Sequence, residues 1–425
     1  MANARKIAVS ALLDVERSGA YSNITLNKLL SSSDITGADR ALATAVFYGV
    51  LDRKITLDYV LSGFLTKPIK RLSPYTVTVL RAALYQIMYM ERIPDSAAVN
   101  EAVKLVKSSK ERFNASLVNG VLRNILRSEI KLPKGNNIKD LSVRYSCPEY
   151  IINSFISDYG LDCAVRMLEE TLEAPPVVLQ VNPMRTTAEE LIKKLQDEGT
   201  KAIKGELENS LIVTDGIDVK NSDCYKQGLF YVQDMASRRS IEVLSPEKDE
   251  RVLDLCAAPG GKSFTAASLM KNTGEILAFD LYPKRVELIA NSAKRLGFDN
   301  IKAVTGDATV FDASRGEFDA VICDVPCSGL GVLRRKPEIK YKLSEDFEQL
   351  TDIQAAILEN AAKYTKKGGR LLYSTCTVRK AENEKVTKAF LDKNTAFALK
   401  YEHTYFPHID RTDGFYCALL EKKGD

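Results

Sequence analysis

The fold of the C-terminal half is decided by residues 252–263, which read VLDLCAAPGGKS. The stretch predicts a buried strand, a turn of small residues and the start of a helix. Gly260 and Gly261 allow close backbone approach, and the free amides at a helix N-terminus favour an anionic group. A purely structural turn is the alternative. A triphosphate-binding loop is excluded because Cys256 stands where that motif needs glycine, and the dinucleotide motif G-x-G-x-x-G is absent.

Strand and helix patterns alternate from residue 249 onward. The patterns predict strands at 252–255, 276–279, 303–305, 320–323 and 371–374, and helices at 263–270, 283–296, 347–364 and 382–391. Such alternation is typical of a doubly wound, mostly parallel sheet. We therefore expect an α/β, Rossmann-like domain over residues 236–425.

Two acidic residues follow two of these strands. Asp280 comes about twenty residues after the glycines, where a carboxylate conventionally accepts hydrogen bonds from ribose hydroxyls. Asp307 ends the third strand, where an adenine ring would lie. A lone aspartate after a strand is more often a helix cap than a ligand. A glycine loop followed by two strand-end acids nevertheless has the layout of an S-adenosylmethionine site.

Two cysteines lie where two later strands end. Cys327 follows Asp324 in the stretch DVPC, and Cys376 follows the strand at 371–374. Because ligands bind at the carboxyl ends of parallel strands, we expect both thiols to face a bound methyl donor. A thiolate that adds to carbon-6 of cytosine makes carbon-5 nucleophilic. A carboxyl group can hold or protonate the ring nitrogen, and a second thiol can assist release. Small buried core cysteines are the alternative reading.

The N-terminal third has a different character. Apolar residues recur at helical spacing over residues 1–130, which predicts an all-helical domain. The polar stretch KLPKGNN indicates a linker over 131–140, and mixed patterns over 141–235 predict a small α/β module. Residues 1–150 contain 22 Lys and Arg against 13 Asp and Glu, a net charge of +9 in a chain whose total is +4. This asymmetry suggests a polyanionic partner.

Composition narrows the function classes. Two histidines and eight scattered cysteines, with no C-x-x-C pair, argue against a zinc site and most His-dependent hydrolases, so no metal is expected. The first residues lack the pattern of a signal peptide, and no apolar stretch is long enough to span a membrane. We expect a cytoplasmic, multidomain protein without a membrane partner.

Three stretches carry a resemblance to a known family: DLCAAPGGK (254–262), DVPCSGLGVLRRKPEIK (324–340) and LLYSTCTVRKAENE (371–384). They resemble the NOL1/NOP2/Sun family of RNA cytosine-5 methyltransferases, and the likeness extends over nearly the whole chain. Residues 39–54, 82–107 and 118–127 look like the RNA-binding helical fold of the antitermination factor NusB. Residues 141–235, which end in YVQDMAS, look like the family's RNA-recognition-like insert. Val325, where the family often has alanine, and Tyr282, where it often has a polar residue, are small departures.

The resemblance implies roles for individual residues. Cys376 would be the nucleophile, and Cys327 would assist product release. The methyl donor, S-adenosylmethionine, would be contacted or bordered by the glycine loop and three acids: Cys256, Ala257, Ala258, Pro259, Gly260, Gly261, Lys262, Asp280, Asp307 and Asp324. The architecture is closest to family members that act on small-subunit ribosomal RNA. Ribosomal RNA, free or partly assembled, is therefore the expected partner, since an unstacked cytosine must reach the thiols.

Basic residues follow the Pro-Cys motif. The stretch GLGVLRRKPEIKYK (329–342) carries Arg334, Arg335, Lys336 and Lys340, which we expect to contact RNA phosphates. A merely solvated basic loop is the alternative. Two other functions remain open from sequence: a cytosine-5 methyltransferase of transfer RNA, and a non-catalytic RNA-binding antitermination factor. Paired strand-end thiols weigh against the second of these.

Overall fold

The computed structural model describes residues 4–18, 22–342 and 345–424. The chain forms two compact units. The first comprises residues 1–173 together with a short excursion from later in the chain, Leu333–Lys342, which we call the anchor segment. The second comprises the rest, residues 174–332 and 343–425. Among the helices of the described residues, none is both long and apolar enough to cross a bilayer.

The first unit is helical, as the sequence predicted. Its core is built from apolar side chains that recur along one face of each helix, such as Phe47, Leu57, Leu80 and Leu122, all fully buried. The helices are α1 (Ala4–Ser18), α2 (Ser22–Ser31), α3 (Gly37–Phe64), α4 (Pro74–Tyr89), α5 (Asp95–Lys107), α6 (Ala115–Leu126), α7 (Ile138–Tyr145), α8 (Glu149–Tyr159) and α9 (Leu161–Glu170).

The last three of these helices differ from the expected domain plan, which placed residues 141–173 in the α/β module. The Thr56 hydroxyl of α3 donates to the Val143 carbonyl of α7 at 2.5 Å, and the Ile55 amide donates to Ser146 Oγ at 3.0 Å. These bonds attach α7 to the long helix α3, so the compact helical unit extends past the polar stretch 131–140 to residue 173.

A small antiparallel sheet opens the second unit. Its elements are β1 (Val177–Val181), α10 (Ala188–Asp197), β2 (Ala202–Lys204), β3 (Ser210–Val213), α11 (Asp223–Lys226) and β4 (Phe230–Val232). The strand order is β2-β3-β1-β4, and β1 pairs antiparallel with both β3 and β4. Leu191 and Leu195 of α10 are fully buried. Side chains of Thr187 and Glu190 cap the start of this helix reciprocally. This is the small α/β module that the sequence predicted.

The larger sheet of the second unit is mostly parallel and seven-stranded, in the order β10-β11-β9-β8-β5-β6-β7. Its elements are α12 (Met235–Leu244), β5 (Arg251–Asp254), α13 (Gly261–Leu269), β6 (Glu275–Asp280), α14 (Pro283–Leu296), β7 (Ile301–Thr305), β8 (Phe318–Asp324), α15 (Glu345–Tyr364), β9 (Thr365–Thr375), α16 (Glu384–Lys393), β10 (Phe397–Tyr405), α17 (Pro407–Asp410) and β11 (Phe415–Lys422).

The strand order places the candidate site. The chain runs from β5 outward through β6 and β7, and then returns to β8 and β9 on the other side of β5. The carboxyl ends of β5 and β8 therefore meet where the order reverses, the usual ligand position in such sheets. The predicted Rossmann-like alternation is confirmed. The C-terminal pair β10 and β11 joins β9 in antiparallel fashion, and neither this pairing nor β10 was predicted.

Candidate active site

The glycine loop joins β5 to α13 in a conformation that needs glycine. Gly260 has a φ of 111°, and a Cβ atom there would overlap the Phe264 ring. Helix α13 begins at Gly261, so its first amides face the carboxyl end of the sheet. Residues 256–262 thus lie at the switch point of the sheet.

Lys262 turns out to contact another predicted site residue. Its ammonium lies 2.8 Å from Asp324 Oδ2 and donates to Ser237 Oγ at 3.0 Å. Ser374 Oγ donates to the other oxygen of Asp324, Oδ1, at 2.7 Å. The carboxylate at the end of β8 is therefore held from both sides, with 29% of its side-chain surface exposed.

A second carboxyl group at this edge was not singled out from the sequence. Asp254, the last residue of β5, is fully buried, and Ser263 Oγ donates to its Oδ2 at 2.7 Å. Burial raises the pKa of Asp254 to about 7, and the negative charge of Asp324 adds to the shift. An aspartate at the end of a buried strand has the same sequence appearance as any strand terminus, so only its burial identifies it.

The two acids that were predicted to contact the methyl donor lie at the ends of the neighbouring strands. Asp280 is nearly buried at the end of β6; Arg285 pairs with its Oδ2 at 3.1 Å, and the Tyr282 amide donates to its Oδ1. Asp307, just after β7, is exposed, and hydrogen bonds from Thr309 lower its pKa. The strand order brings Asp280 beside the glycine loop, where Arg285 also donates to the Ala258 carbonyl at 3.1 Å.

The two predicted thiols meet. Strands β8 and β9 are parallel neighbours, with Asp324 opposite Ser374, so the loops after them start side by side. Cys327 Sγ lies 3.3 Å from Cys376 Sγ, and neither cysteine forms a disulfide. The hydrogen bond with Cys376 and burial raise the pKa of the Cys327 thiol well above its ordinary value. Adjacent thiols with a held carboxylate can carry out covalent catalysis on an electron-poor ring.

The basic residues after the Pro-Cys motif divide into two kinds. Lys340 was expected to contact RNA, but its side chain is fully buried and its ammonium pairs with Asp52 Oδ1 at 2.7 Å. It also donates to the Asp52 carbonyl at 3.2 Å. Because this cation is already neutralised and shielded from solvent, Lys340 has no surface to offer a phosphate. The prediction of phosphate contact is corrected for this residue.

The other three basic residues vary in exposure. Arg334 is 6% exposed and lies 3.8 Å from Glu170, Arg335 is half-buried, and Lys336 is exposed. Leu333 and Ile339 are buried, and the Tyr341 hydroxyl donates to the Leu51 carbonyl at 2.7 Å. The anchor segment is therefore packed into the helical unit, and Lys336 is one of its exposed cations.

Comparison with known proteins agrees with this architecture. The family model described as 16S rRNA methyltransferase RsmB/F matches residues 241–421. The NusB family matches residues 2–127, and the ferredoxin-like domain of RsmF/B-like methyltransferases matches residues 147–220. In chain order, the second match begins just before α8 in the helical unit and extends through β3, and the third covers the seven-stranded sheet from β5 to β11.

Relatives match over the full length. The chain is 37% identical to the probable ribosomal RNA small subunit methyltransferase B of Bacillus subtilis, covering 99% of each chain. It is 30% identical to the ribosomal RNA small subunit methyltransferase B of Proteus mirabilis, again over 99% of each. Among solved structures, PH0851 has a TM-score of 0.84 at 26% identity over 99% of both chains. NSun6 from Pyrococcus horikoshii shares the fold, with a TM-score of 0.60 at 23% identity, over 65% of this chain and 99% of its own. The chain belongs to the ribosomal RNA small subunit methyltransferase B family.

Proposed function

We propose that this protein methylates carbon-5 of a cytosine in small-subunit ribosomal RNA through a covalent bond to Cys376. The observation that carries the proposal is the 3.3 Å approach of Cys327 and Cys376 at the ends of two parallel strands. A methyltransferase that acts on a nucleophilic oxygen or nitrogen has no need of paired thiols. A carbon atom of a pyrimidine ring does need prior activation by a nucleophile.

The donor site fits S-adenosylmethionine. The loop at Gly260 has a conformation that needs glycine, and the first amides of α13 lie beside it at the carboxyl edge of the sheet. Asp280 would accept hydrogen bonds from the ribose hydroxyls, and Asp307 would border the adenine ring. The residues from Cys256 to Lys262 would line the donor between these acids. When bound, S-adenosylmethionine supplies a sulfonium methyl group for transfer.

The protein's own groups account for the remaining steps. Cys376 adds as a thiolate to carbon-6, which makes carbon-5 nucleophilic, and Asp324 holds the polar edge of the ring. After transfer, the carbon-5 proton passes to solvent and the bond from carbon-6 to sulfur breaks, with its electrons returning to Cys376. Cys327 assists that departure from 3.3 Å. The ring double bond is restored, and the thiolate is ready for another cycle.

Ribosomal RNA as substrate is supported by the names of the full-length relatives and by the NusB-like helical unit. The net charge of +9 on residues 1–150 suits a polyanion. Bisulfite sequencing of RNA from cells with and without the protein tests this directly. If the proposal is correct, cells without the protein lack one 5-methylcytosine in small-subunit ribosomal RNA. A 5-methylcytosine missing from transfer RNA instead would show that transfer RNA is the substrate.

The two thiols are separated by comparing two variants. Cys376→Ala leaves the ring unactivated, so methylation should stop and no covalent protein–RNA species should form. Cys327→Ala still allows attack, so the adduct should accumulate because release is impaired. A denaturing gel of each variant with target RNA and methyl-labelled donor measures this. An adduct from Cys376→Ala alone would reverse the roles, and no adduct from either variant would contradict the covalent mechanism.

A further inference from the structure

A buried carboxylate is hydrogen-bonded to the loop that carries Cys327, and it has no part in the catalytic steps proposed above. The side chain of Glu382, in the loop between β9 and α16, is fully inaccessible to solvent. Its Oε2 accepts hydrogen bonds from the Ser328 amide at 2.8 Å and from Gln354 Nε2 at 3.0 Å. Its Oε1 accepts from the Arg379 guanidinium at 3.1 Å. A wholly buried charge is costly unless its partners fix it, and here three donors do so.

These bonds hold the backbone on both sides of Cys327. The amide that follows Cys327 belongs to Ser328 and donates to Glu382. The carbonyl that precedes it belongs to Pro326 and accepts from Gln354 Nε2 at 3.0 Å. One carboxylate and one amide, themselves hydrogen-bonded to each other, therefore set the position of the Cys327 loop.

The same glutamate is attached to the strand that carries Cys376. The Tyr373 hydroxyl, in β9, donates to the Glu382 carbonyl at 2.6 Å. On the other side of the thiols, Ser328 Oγ and Thr377 Oγ1 are 2.8 Å apart, and the Gly331 amide donates to the Cys376 carbonyl at 3.1 Å. Glu382 is thus one of the connections that fix the distance between the two sulfur atoms.

The charges around Cys327 are predominantly negative. Glu382 faces it from the loop before α16 and Asp324 from β8, with the Cys376 thiol and the Tyr373 phenol on β9. The nearby cations are each paired with one of these acids: Lys262 with Asp324, and Arg379 with Glu382. Buried anions disfavour a further negative charge, and the raised pKa of Cys327 agrees with this.

We propose that Glu382 is a positioning residue that fixes the Cys327 thiol beside Cys376 and keeps it protonated, so that Cys327 donates its S–H to the Cys376 sulfur as that sulfur leaves carbon-6. Cys327 keeps its proton throughout. The electrons of the broken bond go to Cys376, and the hydrogen bond stabilises the thiolate that forms. The inference rests on the proposed covalent mechanism for its catalytic part, while its electrostatic part concerns the protein alone.

The electrostatic part is tested without RNA. In a Cys376→Ala background, alkylation of Cys327 by iodoacetamide is followed against pH by mass spectrometry of the Cys327 peptide. Glu382→Gln should move the midpoint of the alkylation profile down by about one pH unit, because a buried negative charge is removed. Glu384→Gln is the matched control: its carboxylate accepts from Thr404 on β10 at 3.2 Å, so the midpoint should stay in place. An unchanged midpoint in folded Glu382→Gln overturns the proposal.

A second variant predicts the opposite shift and covers the case in which Glu382→Gln does not fold. The Arg379 side chain is 18% exposed, and its guanidinium forms an ion pair with the Glu382 carboxylate. Arg379→Gln leaves the Glu382 charge uncompensated, so the midpoint of Cys327 alkylation should rise. A midpoint that falls or stays unchanged in this variant overturns the proposal.

The catalytic part is tested with RNA in the otherwise native protein. Glu382→Gln should accumulate the covalent protein–RNA adduct although both thiols are present, and Glu384→Gln should not. Normal turnover without adduct, or lost methylation without adduct, overturns the role in release. If the native protein neither methylates nor forms an adduct with any variant, the proposed function fails, while the alkylation profiles still decide whether Glu382 controls Cys327.

Discussion

Two buried lysines in this molecule pair with aspartates in almost the same way. In the second unit, Lys262 lies 2.8 Å from Asp324; in the helical unit, Lys340 lies 2.7 Å from Asp52. Lys262 has 10% of its side chain exposed and Lys340 none, and both aspartates are about a quarter exposed. The two pairs have nearly the same distances, but the residues around them differ.

The difference lies in what surrounds each pair. Lys262 sits at the carboxyl edge of the sheet, with Ser237 at 3.0 Å and the Phe415 ring centroid at 4.9 Å. Lys340 lies in a short helical turn whose apolar residues are buried in the helical unit. A buried ion pair is therefore not in itself a sign of a functional site. Whether such a pair belongs to a functional site depends on its neighbours and on its position at a strand end.

The largest effect should come from removing the structural pair. Lys340→Met keeps the apolar stem but removes the cation, which leaves Asp52 with only the more distant Arg53, at 3.4 Å. We expect a loss of about 3 kcal/mol in the stability of the helical unit, since one member of a buried pair is deleted. Hydrogen exchange of α3 and the anchor segment measures this. Exposed Lys336→Met, in the same segment, is the control and should have no such effect.

Removing the pair in the second unit should instead reduce activity. Lys262→Met leaves Asp324 held only by Ser374, so the carboxylate loses its fixed position. A displacement of a catalytic group by a fraction of an ångström can cost about a hundredfold in turnover. Methyl transfer measured under saturating RNA, on protein shown to be folded, should fall by that order. Lys284→Met, an exposed lysine of α14, should retain full activity; equal losses in both variants would contradict the distinction.

The sequence predicted the thiol pair because two local signals and one general rule suffice. Cys327 and Cys376 each follow an apolar strand, and parallel strands end at one edge of a sheet. The sheet then brings them to 3.3 Å without further information. The same rule placed Asp280 and the glycine loop together, so the predicted alternation of strands and helices carried most of the site.

The partners of charged residues could not be predicted in this way. Lys340 stands in a run of cations that is typical of a solvated loop, and only the tertiary packing of the anchor segment buries it against Asp52, 288 residues earlier. Glu382 and Gln354 lie in polar, helix-like stretches with nothing to mark them as buried. Long-range pairing of polar groups depends on the fold as a whole, so periodicity carries no signal for it.

The predicted domain plan and the compact units place the first boundary at different residues. The stretch 131–140 has the composition of a linker, yet α7, α8 and α9 beyond it belong to the helical unit. Composition reports local exposure, whereas the boundary depends on which apolar faces pack together. The strand β10 was missed because it lies at the sheet edge, where mostly exposed residues interrupt any apolar alternation.

Asp254, whose carboxyl group accepts a hydrogen bond from Ser263 Oγ, supplies a third case for the comparison. The pKa of buried Asp254 is raised to about 7 from an ordinary value of 3.8, so the folded protein keeps a proton that the unfolded chain has released between these values. The stability that this proton contributes is present below about pH 4 and is lost as pH rises through 7, by up to about 1.4 kcal/mol per pH unit.

The Asp254→Asn variant should lack that pH dependence. The free energy of unfolding of the two proteins is compared between pH 4.5 and 7.5 by hydrogen exchange of the β5 amides. The stability of the native protein should decline with rising pH relative to the variant. Parallel curves would mean that Asp254 is ionised throughout the range in the folded protein.

The smallest effect concerns Lys336, an exposed cation of the anchor segment. The Lys336 side chain is exposed, as a phosphate contact requires, whereas the Lys340 ammonium is paired with Asp52. Lys336→Ala should reduce the salt dependence of RNA binding by a slope of about 0.7, the value for one single-strand phosphate contact. Lys340→Met, where it remains folded, should leave the slope unchanged although it costs far more stability. Fluorescence anisotropy with a labelled RNA over a range of salt concentrations gives both slopes. If Lys336→Ala leaves the slope intact, this lysine is solvated surface; if Lys340→Met reduces it, the buried pair opens when RNA binds.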